Sequence, residues 1–341
     1  MNLIIILPII AALAFLLTAI LRRYALANSV IDVPNDRSSH SMPTPRGGGV
    51  SIVISFLLAI LLLGFLGVAD WTFVIALFGA GLGIATIGFL DDHGHIAARW
   101  RLLGHFAAAS WILYWLGGFP PLLLLGTTLD MGWFGHILAA IYLVWMLNLY
   151  NFMDGIDGIA GIEAITVCLG GVLLLFCLGK GLDNEGVWVL AVLASAVLGF
   201  LIWNFPPAKI FMGDAGSGFL GVVLGALSVK AAWVAPELFW SWLILLGIFV
   251  VDATFTLLRR LLRGDRIYEA HRSHAYQYAS RYFGKHLPVT LGVFFINVLW
   301  LFPFALAVGL GMVDALLGVF VAYLPLILIA VRFRAGSLET V

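Results

Sequence analysis

The chain has 341 residues, 62% of them hydrophobic and only 11% charged, with a mean hydropathy of +1.08, which excludes an ordinary soluble domain and fits a polytopic membrane protein. Its 18 Lys and Arg balance 18 Asp and Glu, so the charge gives no ground for a nucleic-acid partner. Cys168 and Cys177 share one apolar run in which nine helical residues separate them by about 13 Å, too far for a disulfide, and they read as packing residues.

In chain order, apolar runs of about 17 to 25 residues, the length that crosses a bilayer as helix, fall at 3–21, 49–68, 72–90, 101–117, 134–150, 159–179, 186–203, 217–235, 238–258, 287–311 and 313–331. The expected fold is an all-α polytopic membrane protein of about eleven transmembrane helices, with residues 1–341 forming a single integral-membrane domain. The first run lacks a basic region before it and a small-residue cleavage site after it, so it reads as a retained span rather than a signal peptide. Residues 117–133 contain Gly-Gly-Phe-Pro-Pro and a short leucine run, which suggests an interfacial or re-entrant piece. If the loop after the first span is cytoplasmic, every Lys and Arg except Lys180 and Lys230 falls on that side. This positive-inside bias predicts an N-terminus outside, a C-terminus in the cytoplasm, and cytoplasmic loops at 22–48, 91–100, 148–158, 204–216 and 259–286.

Those loops hold the polar chemistry. In the first, Arg46 precedes Gly47, Gly48 and Gly49 at the start of a span. Glycine lets backbone amides approach an anion and arginine grips phosphate, although a turn with a membrane-side anchor has the same composition. Asp91 and Asp92 close the third span with His93 and His95 behind them, a pair that calls for a cation or a proton-transfer role unless it is a solvated helix end. The stretch 148–161 carries Asn148, Asn151, Asp154 and Asp157 at a spacing of three, one polar ridge if the helix continues that far. After the seventh span, Asp214 sits among small residues as a hard-cation ligand would, and Phe211 offers a flat face to a base or an anchor at the interface. The loop after the ninth span has Arg259, Arg260, Arg263 and Arg266, suited to anionic lipid, then His271, Arg272 and His274, suited to a phosphate-rich ligand or a metal. Asp252 lies inside the ninth span, where an acid either serves the site or makes an interhelical hydrogen bond. Together the loops suit Mg²⁺, phosphate and a nucleobase beside a membrane that supplies lipid, and phosphoryl transfer is the natural reaction class.

The set Pro43-Thr-Pro-Arg-Gly-Gly-Gly, Asp91-Asp92, Asn151-Phe-Met-Asp-Gly-Ile-Asp-Gly-Ile-Ala-Gly, Phe211-Met-Gly-Asp-Ala-Gly-Ser and His271-Arg-Ser-His resembles the polyprenyl-phosphate N-acetylhexosamine-1-phosphate transferases of glycosyltransferase family 4, from about residue 32 to 277. The resemblance implies transfer of a sugar 1-phosphate from a UDP-sugar to undecaprenyl phosphate, with UMP released, in a bacterial inner membrane and on its cytoplasmic face. It implies Mg²⁺, with Mn²⁺ as a substitute. By motif position, Asp214 matches the principal metal ligand, Asp154 supports the metal, and Asp91 with Asp92 matches the pair that orients the lipid phosphate or takes its proton. Asn151, Asp154 and Asp157 match a nucleotide-contacting ridge, Phe211 an aromatic against uracil, and His271, Arg272 and His274 a cluster near the phosphates and sugar, with Arg46 on the substrate side. A homodimer is compatible with the resemblance.

Two departures narrow it. His95 stands where the family places an acid or lysine after the acidic pair, and His-Arg-Ser-His replaces the triple histidine of the MurNAc-pentapeptide branch. The pattern looks closest to the branch that starts O-antigen or related surface polysaccharides, with GlcNAc or a 6-deoxy sugar such as FucNAc or QuiNAc as donor sugar. A secondary transporter would show midplane ionisable groups and internal repeats, and a CDP-alcohol phosphotransferase would continue its Asp-Gly element differently from Asp157-Gly-Ile-Ala-Gly.

Overall fold

The computed structural model describes residues 3–34, 42–94, 96–265 and 272–338. Fourteen α-helices make up nearly all of it: α1 (Ile6–Ala27), α2 (Val50–Phe65), α3 (Trp71–His93), α4 (Ala98–Leu116), α5 (Gly132–Met153), α6 (Ile159–Cys177), α7 (Glu185–Asn204), α8 (Asp214–Val234), α9 (Glu237–Leu245), α10 (Gly247–Arg263), α11 (Ala275–Phe283), α12 (Leu287–Ile296), α13 (Phe302–Gly309) and α14 (Ala315–Arg332). A π-helical turn at Asn297–Leu301 joins α12 to α13. Two antiparallel pairs of very short strands complete the described structure, β1 (Ile31–Asp32) with β2 (Thr44–Pro45) and β3 (Leu122–Leu124) with β4 (Thr127–Leu129). The second pair lies within residues 117–133, the piece that reads from sequence as interfacial or re-entrant rather than a span.

Every apolar run read from the sequence lies on a helix, but not every one is long and apolar enough to cross a bilayer. Among the described residues eight helices are, with the continuous stretch Leu287–Gly309 counted once, or nine when α9 and α10, bent by 75°, count as one broken span. The sequence expectation of eleven exceeds this because α2 has only 16 residues and α4 opens with Arg99 and Arg101. The chain is a multi-pass, essentially all-α membrane protein.

Helix α8 is the axis of the bundle. It is buried on nearly every face and packs against α3 and α5, as expected for a span surrounded by protein rather than lipid. Close approach is what sets the geometry here: a Cβ added at Gly88 of α3 would lie 2.6 Å from the backbone of Asp214 and Ala215, so only glycine lets α3 abut the first turn of α8. At the opposite end of α8, Lys230 pairs with Glu185 at 2.8 Å and the same glutamate accepts the Asp70 N–H, so the polar groups of the two ends are well separated. Within the bundle, Asn297 of the π turn donates to Glu163 at 2.6 Å and to Thr166 at 2.7 Å, satisfying part of a fully buried acid by an interhelical contact.

Candidate active site

The end of α3, the end of α5 and the start of α8 meet at one end of the bundle. Residues 47–49 seal this junction: Gly48 and Gly49 donate their N–H groups to Phe211 and Met212 carbonyls at 2.9 and 2.8 Å, and Phe211 N–H donates to Pro45 at 2.8 Å. The triple glycine is therefore a backbone seam, and two of its amides are already spent, which differs from the phosphate cradle that the composition suggested. Gly213, with φ +78° and ψ 167°, turns the chain into α8 in a conformation that essentially only glycine adopts, and a Cβ there would lie 2.8 Å from Asp92 Oδ2.

This packing separates the two acids of the adjacent pair. Asp92 turns inward, 3.0 Å from Arg46 Nη2 through Oδ1 and against the backbone N–H groups that open α8, and the same arginine nitrogen donates to the Asp92 carbonyl at 2.6 Å. Among the described residues its buried Oδ2 meets no donor in good hydrogen-bond geometry. Asp91 faces a cavity instead, accepting the Ile96 N–H at 2.8 Å through Oδ1 and pairing with Arg101 through Oδ2.

That cavity, about 690 Å³, is walled by α3, α4, α5, α8, α10 and α11. Of the residues singled out from sequence, Asp91, Asn148, Asn151, Asp214 and His274 line it. Asn151 accepts a hydrogen bond from Ser217 Oγ at 2.7 Å, which ties α5 to the first turn of α8 beside Asp214. Asp154 caps the C-terminus of α5 just behind the wall. Burial, reinforced by the charges of Asp214, Asp92 and Asp157, pushes its carboxyl well above the usual carboxylate range. Arg46 and Asp92 likewise stand behind the wall rather than in it.

Three residues fall elsewhere. The polar ridge expected at 148–157 breaks at Met153, where α5 ends, so Asp157 is not brought to the cavity. Its carboxylate accepts the Ala208 N–H at 3.0 Å and lies 3.0 Å from His286 Nδ1, pinning the turn to the α7–α8 loop and the start of α12. Phe211 is half-buried beside the glycine seam and Arg272 half-buried at the edge of the α10–α11 loop, neither on the cavity wall. His271 and His95 lie outside the described residues.

The sequence reading missed Arg101, His105, Tyr276 and Gln277, all cavity residues. Arg101 was counted only as a membrane-side charge, yet Arg101 and His105 are four apart and share a face of α4, a readable signal. His105 Nδ1 is 3.4 Å from Asn148 Nδ2. Gln277 announces itself as the third residue after His274, and it closes a capping box at the start of α11.

Among the described residues no three His, Cys, Asp or Glu side chains converge in ligating geometry. Mg²⁺ does not require it, because this ion is commonly held by one or two carboxylates, waters and substrate phosphates. Asp91, Asp92, Asp154 and Asp214 stand against two guanidiniums, Arg46 and Arg101, and one buried carboxylate oxygen of Asp92 meets no donor in good hydrogen-bond geometry. The donor set thus admits a divalent cation.

The model of the family described as glycosyl transferase family 4 matches residues 74–232, the segment that carries Asp91, Asp92, Asn151, Asp154 and Asp214. A phospho-N-acetylmuramoyl-pentapeptide-transferase of Moorella thermoacetica is 30% identical over 251 residues, covering 68% of this chain and 74% of that protein. The chain belongs to glycosyl transferase family 4, in the polyprenyl-phosphate N-acetylhexosamine-1-phosphate transferase superfamily. This family 4 chain is also similar to a probable undecaprenyl-phosphate N-acetylglucosaminyl 1-phosphate transferase of Bacillus subtilis (29% identical over 293 residues, 84% of the chain and 79% of the relative). An undecaprenyl-phosphate alpha-N-acetylglucosaminyl 1-phosphate transferase of Thermotoga maritima is 28% identical over 276 residues, 81% of either chain.

Proposed function

We propose that this protein transfers the sugar 1-phosphate of a UDP-N-acetylhexosamine, GlcNAc or a 6-deoxy analogue, to undecaprenyl phosphate, releasing UMP and starting an O-antigen or related surface polysaccharide. The observation that carries the reading is a single cavity with two kinds of wall. Asp91, Arg101, Asn151, Asp214 and His274 line it with polar groups, and Ile84, Ile87, Leu102, Phe106, Ile141 and Leu257 of membrane helices line it with apolar ones. A lipid whose head is a phosphate needs both.

In this reading an oxygen of the lipid phosphate attacks the sugar-bearing phosphorus of the donor, and the bond from that phosphorus to UMP breaks. Arg101 is positioned to take the lipid phosphate, which releases Asp91 from its ion pair to orient that phosphate or accept its proton. Asn151 on the cavity wall, with Asp154 behind it, would serve the nucleotide, and His274 the phosphates and sugar. A divalent cation, when bound at Asp214 and Asp154, supplies charge neutralisation for the pyrophosphate. Positioning and electrostatics account for most of such a transfer, since the phosphorus chemistry needs little covalent help. The site faces the cytoplasm of a bacterial inner membrane, with eleven passes when α2 and α4 are counted and the N-terminus outside, as the distribution of basic residues supports.

The Moorella relative favours a second reading in which the donor is UDP-MurNAc-pentapeptide. Purified protein given undecaprenyl phosphate, Mg²⁺ and a panel containing UDP-GlcNAc, UDP-FucNAc, UDP-QuiNAc and UDP-MurNAc-pentapeptide separates the two. UMP and lipid-linked product with an amino sugar alone support the first, product with the pentapeptide donor the second, and no UMP with any donor overturns both.

A further inference from the structure

Asp252 lies in the apolar part of α10, 6% exposed and outside the cavity wall. A carboxylate buried there is costly unless it is fully paired. Its Oδ1 accepts the Ala275 N–H at 2.9 Å and its Oδ2 the Tyr276 N–H at 3.0 Å. Those are orphan donors at the first turn of α11, so an acid from one helix caps the start of another. Thr256 Oγ1 donates to Oδ1 at 3.2 Å, and His274 Nδ1 stands 3.3 Å from the same oxygen.

The ring of His274 is held on its faces as well. It stacks on Phe152 of α5 and on Tyr276, with centroids 6.4 and 5.7 Å away, and the Tyr276 hydroxyl donates to the Phe152 carbonyl at 2.9 Å. That hydroxyl lies where a Cβ at residue 155 would stand, at 2.1 Å, so Gly155 is what admits it to the 148–161 turn. Two groups compete for Nδ1. The Gln277 N–H of the capping box points at the His274 side chain and favours a bare ring nitrogen, whereas the Asp252 carboxylate favours a protonated one.

Resting on the transferase reading above, we propose that Asp252 is a positioning residue of the reaction: it fixes the first turn of α11 and holds a proton on His274 Nδ1, so that Nε2 is the ring atom that addresses the substrate. The cap itself uses both carboxylate oxygens, and an amide would supply only one of them.

Asp252→Asn tests this, since it keeps the size and one accepting oxygen while removing the charge. In full-length protein labelled with ¹⁵N-histidine, the His274 resonance, identified by its loss in His274→Gln, is expected to show a protonated Nδ1. In Asp252→Asn that proton is expected to move to Nε2. Turnover of Asp252→Asn is expected to fall about 10- to 100-fold, the range seen when the carboxylate behind a metal-bound histidine is lost, with the donor KM changed far less. Adding Asp252→Asn to His274→Gln should then cost less than the product of the two single losses. A bare Nδ1 in the unaltered protein, an unchanged tautomer in Asp252→Asn, or losses that multiply in the double variant would overturn the proposal. The spectrum needs no turnover, so failure of the unaltered protein to release UMP would refute the transferase reading while the tautomer still decides this one.

Discussion

Gly213→Ala puts the site geometry to its hardest test. The residue stands at φ +78° and ψ 167°, so any side chain there carries backbone strain of about 1–3 kcal/mol. The new Cβ would also sit 2.8 Å from Asp92 Oδ2 and 3.2 Å from the Gly47 backbone. Either the carboxylate leaves Arg46, or the first turn of α8 moves and carries Asp214 with it. Misplacement of a reacting group by about 1 Å costs on the order of 100-fold in rate, so turnover should fall about that much while the protein still inserts. Gly67→Ala is the control: Gly67 also has positive φ, at +67°, but its Cβ would meet nothing within 4 Å. It should cost stability of a similar order and leave UMP release intact. The assay is thermal melting in detergent together with initial-rate UMP release. Gly213→Ala with normal turnover would refute the claim that this junction sets the site.

Asp214→Asn should abolish transfer without impairing insertion, read by membrane fractionation and UMP release. Arg101→Ala frees Asp91 from its ion pair and should raise the KM for undecaprenyl phosphate about tenfold or more, as loss of a charged hydrogen bond to phosphate does, with the donor KM little affected. Burial and the neighbouring acids raise the Asp154 carboxyl, so with Asp154 as a ligand protons compete with the cation; apparent Mg²⁺ affinity should strengthen as pH rises and weaken as it falls, measured by Mg²⁺ activation curves across the pH range. The segment after α14 straps the histidine loop, with Arg259 and Arg263 donating to Ala335 and Gly336 carbonyls at 3.0 and 2.7 Å and Gly336 N–H donating to Ser273 at 2.7 Å. Removing residues from Ala335 onward should lower turnover while donor binding, followed by calorimetry with UDP, persists.

What was readable from the sequence was local. Asp91, Asn151 and Asp214 each sit at a helix end marked by glycine and by a break in hydropathy, and the structure brings all three to one cavity. Asp157 looked equivalent to Asp154 because they are three apart, but helix α5 stops between Asn151 and Asp157. The partners that then claim Asp157, Ala208 and His286, are 51 and 129 residues away, beyond anything a local pattern carries. The same holds for Asp252, whose role as hydrogen-bonding partner or site residue only the start of α11 could decide. The span count differs for another reason: a window of apolar residues takes in the 16-residue α2 and the arginine-opened α4, whose Arg101 lines the cavity, as it does the longer helices.

The central claim is that phosphorus travels with the sugar. A UDP-GlcNAc labelled with ³²P at the sugar-bearing phosphorus, incubated with undecaprenyl phosphate, Mg²⁺ and the purified protein, tests it directly. The account predicts that the label enters the lipid fraction in step with unlabelled UMP, and that Asp214→Asn stops both. Label retained in water-soluble UDP while the sugar moves, or label carried intact across a proteoliposome membrane without UMP, would contradict it.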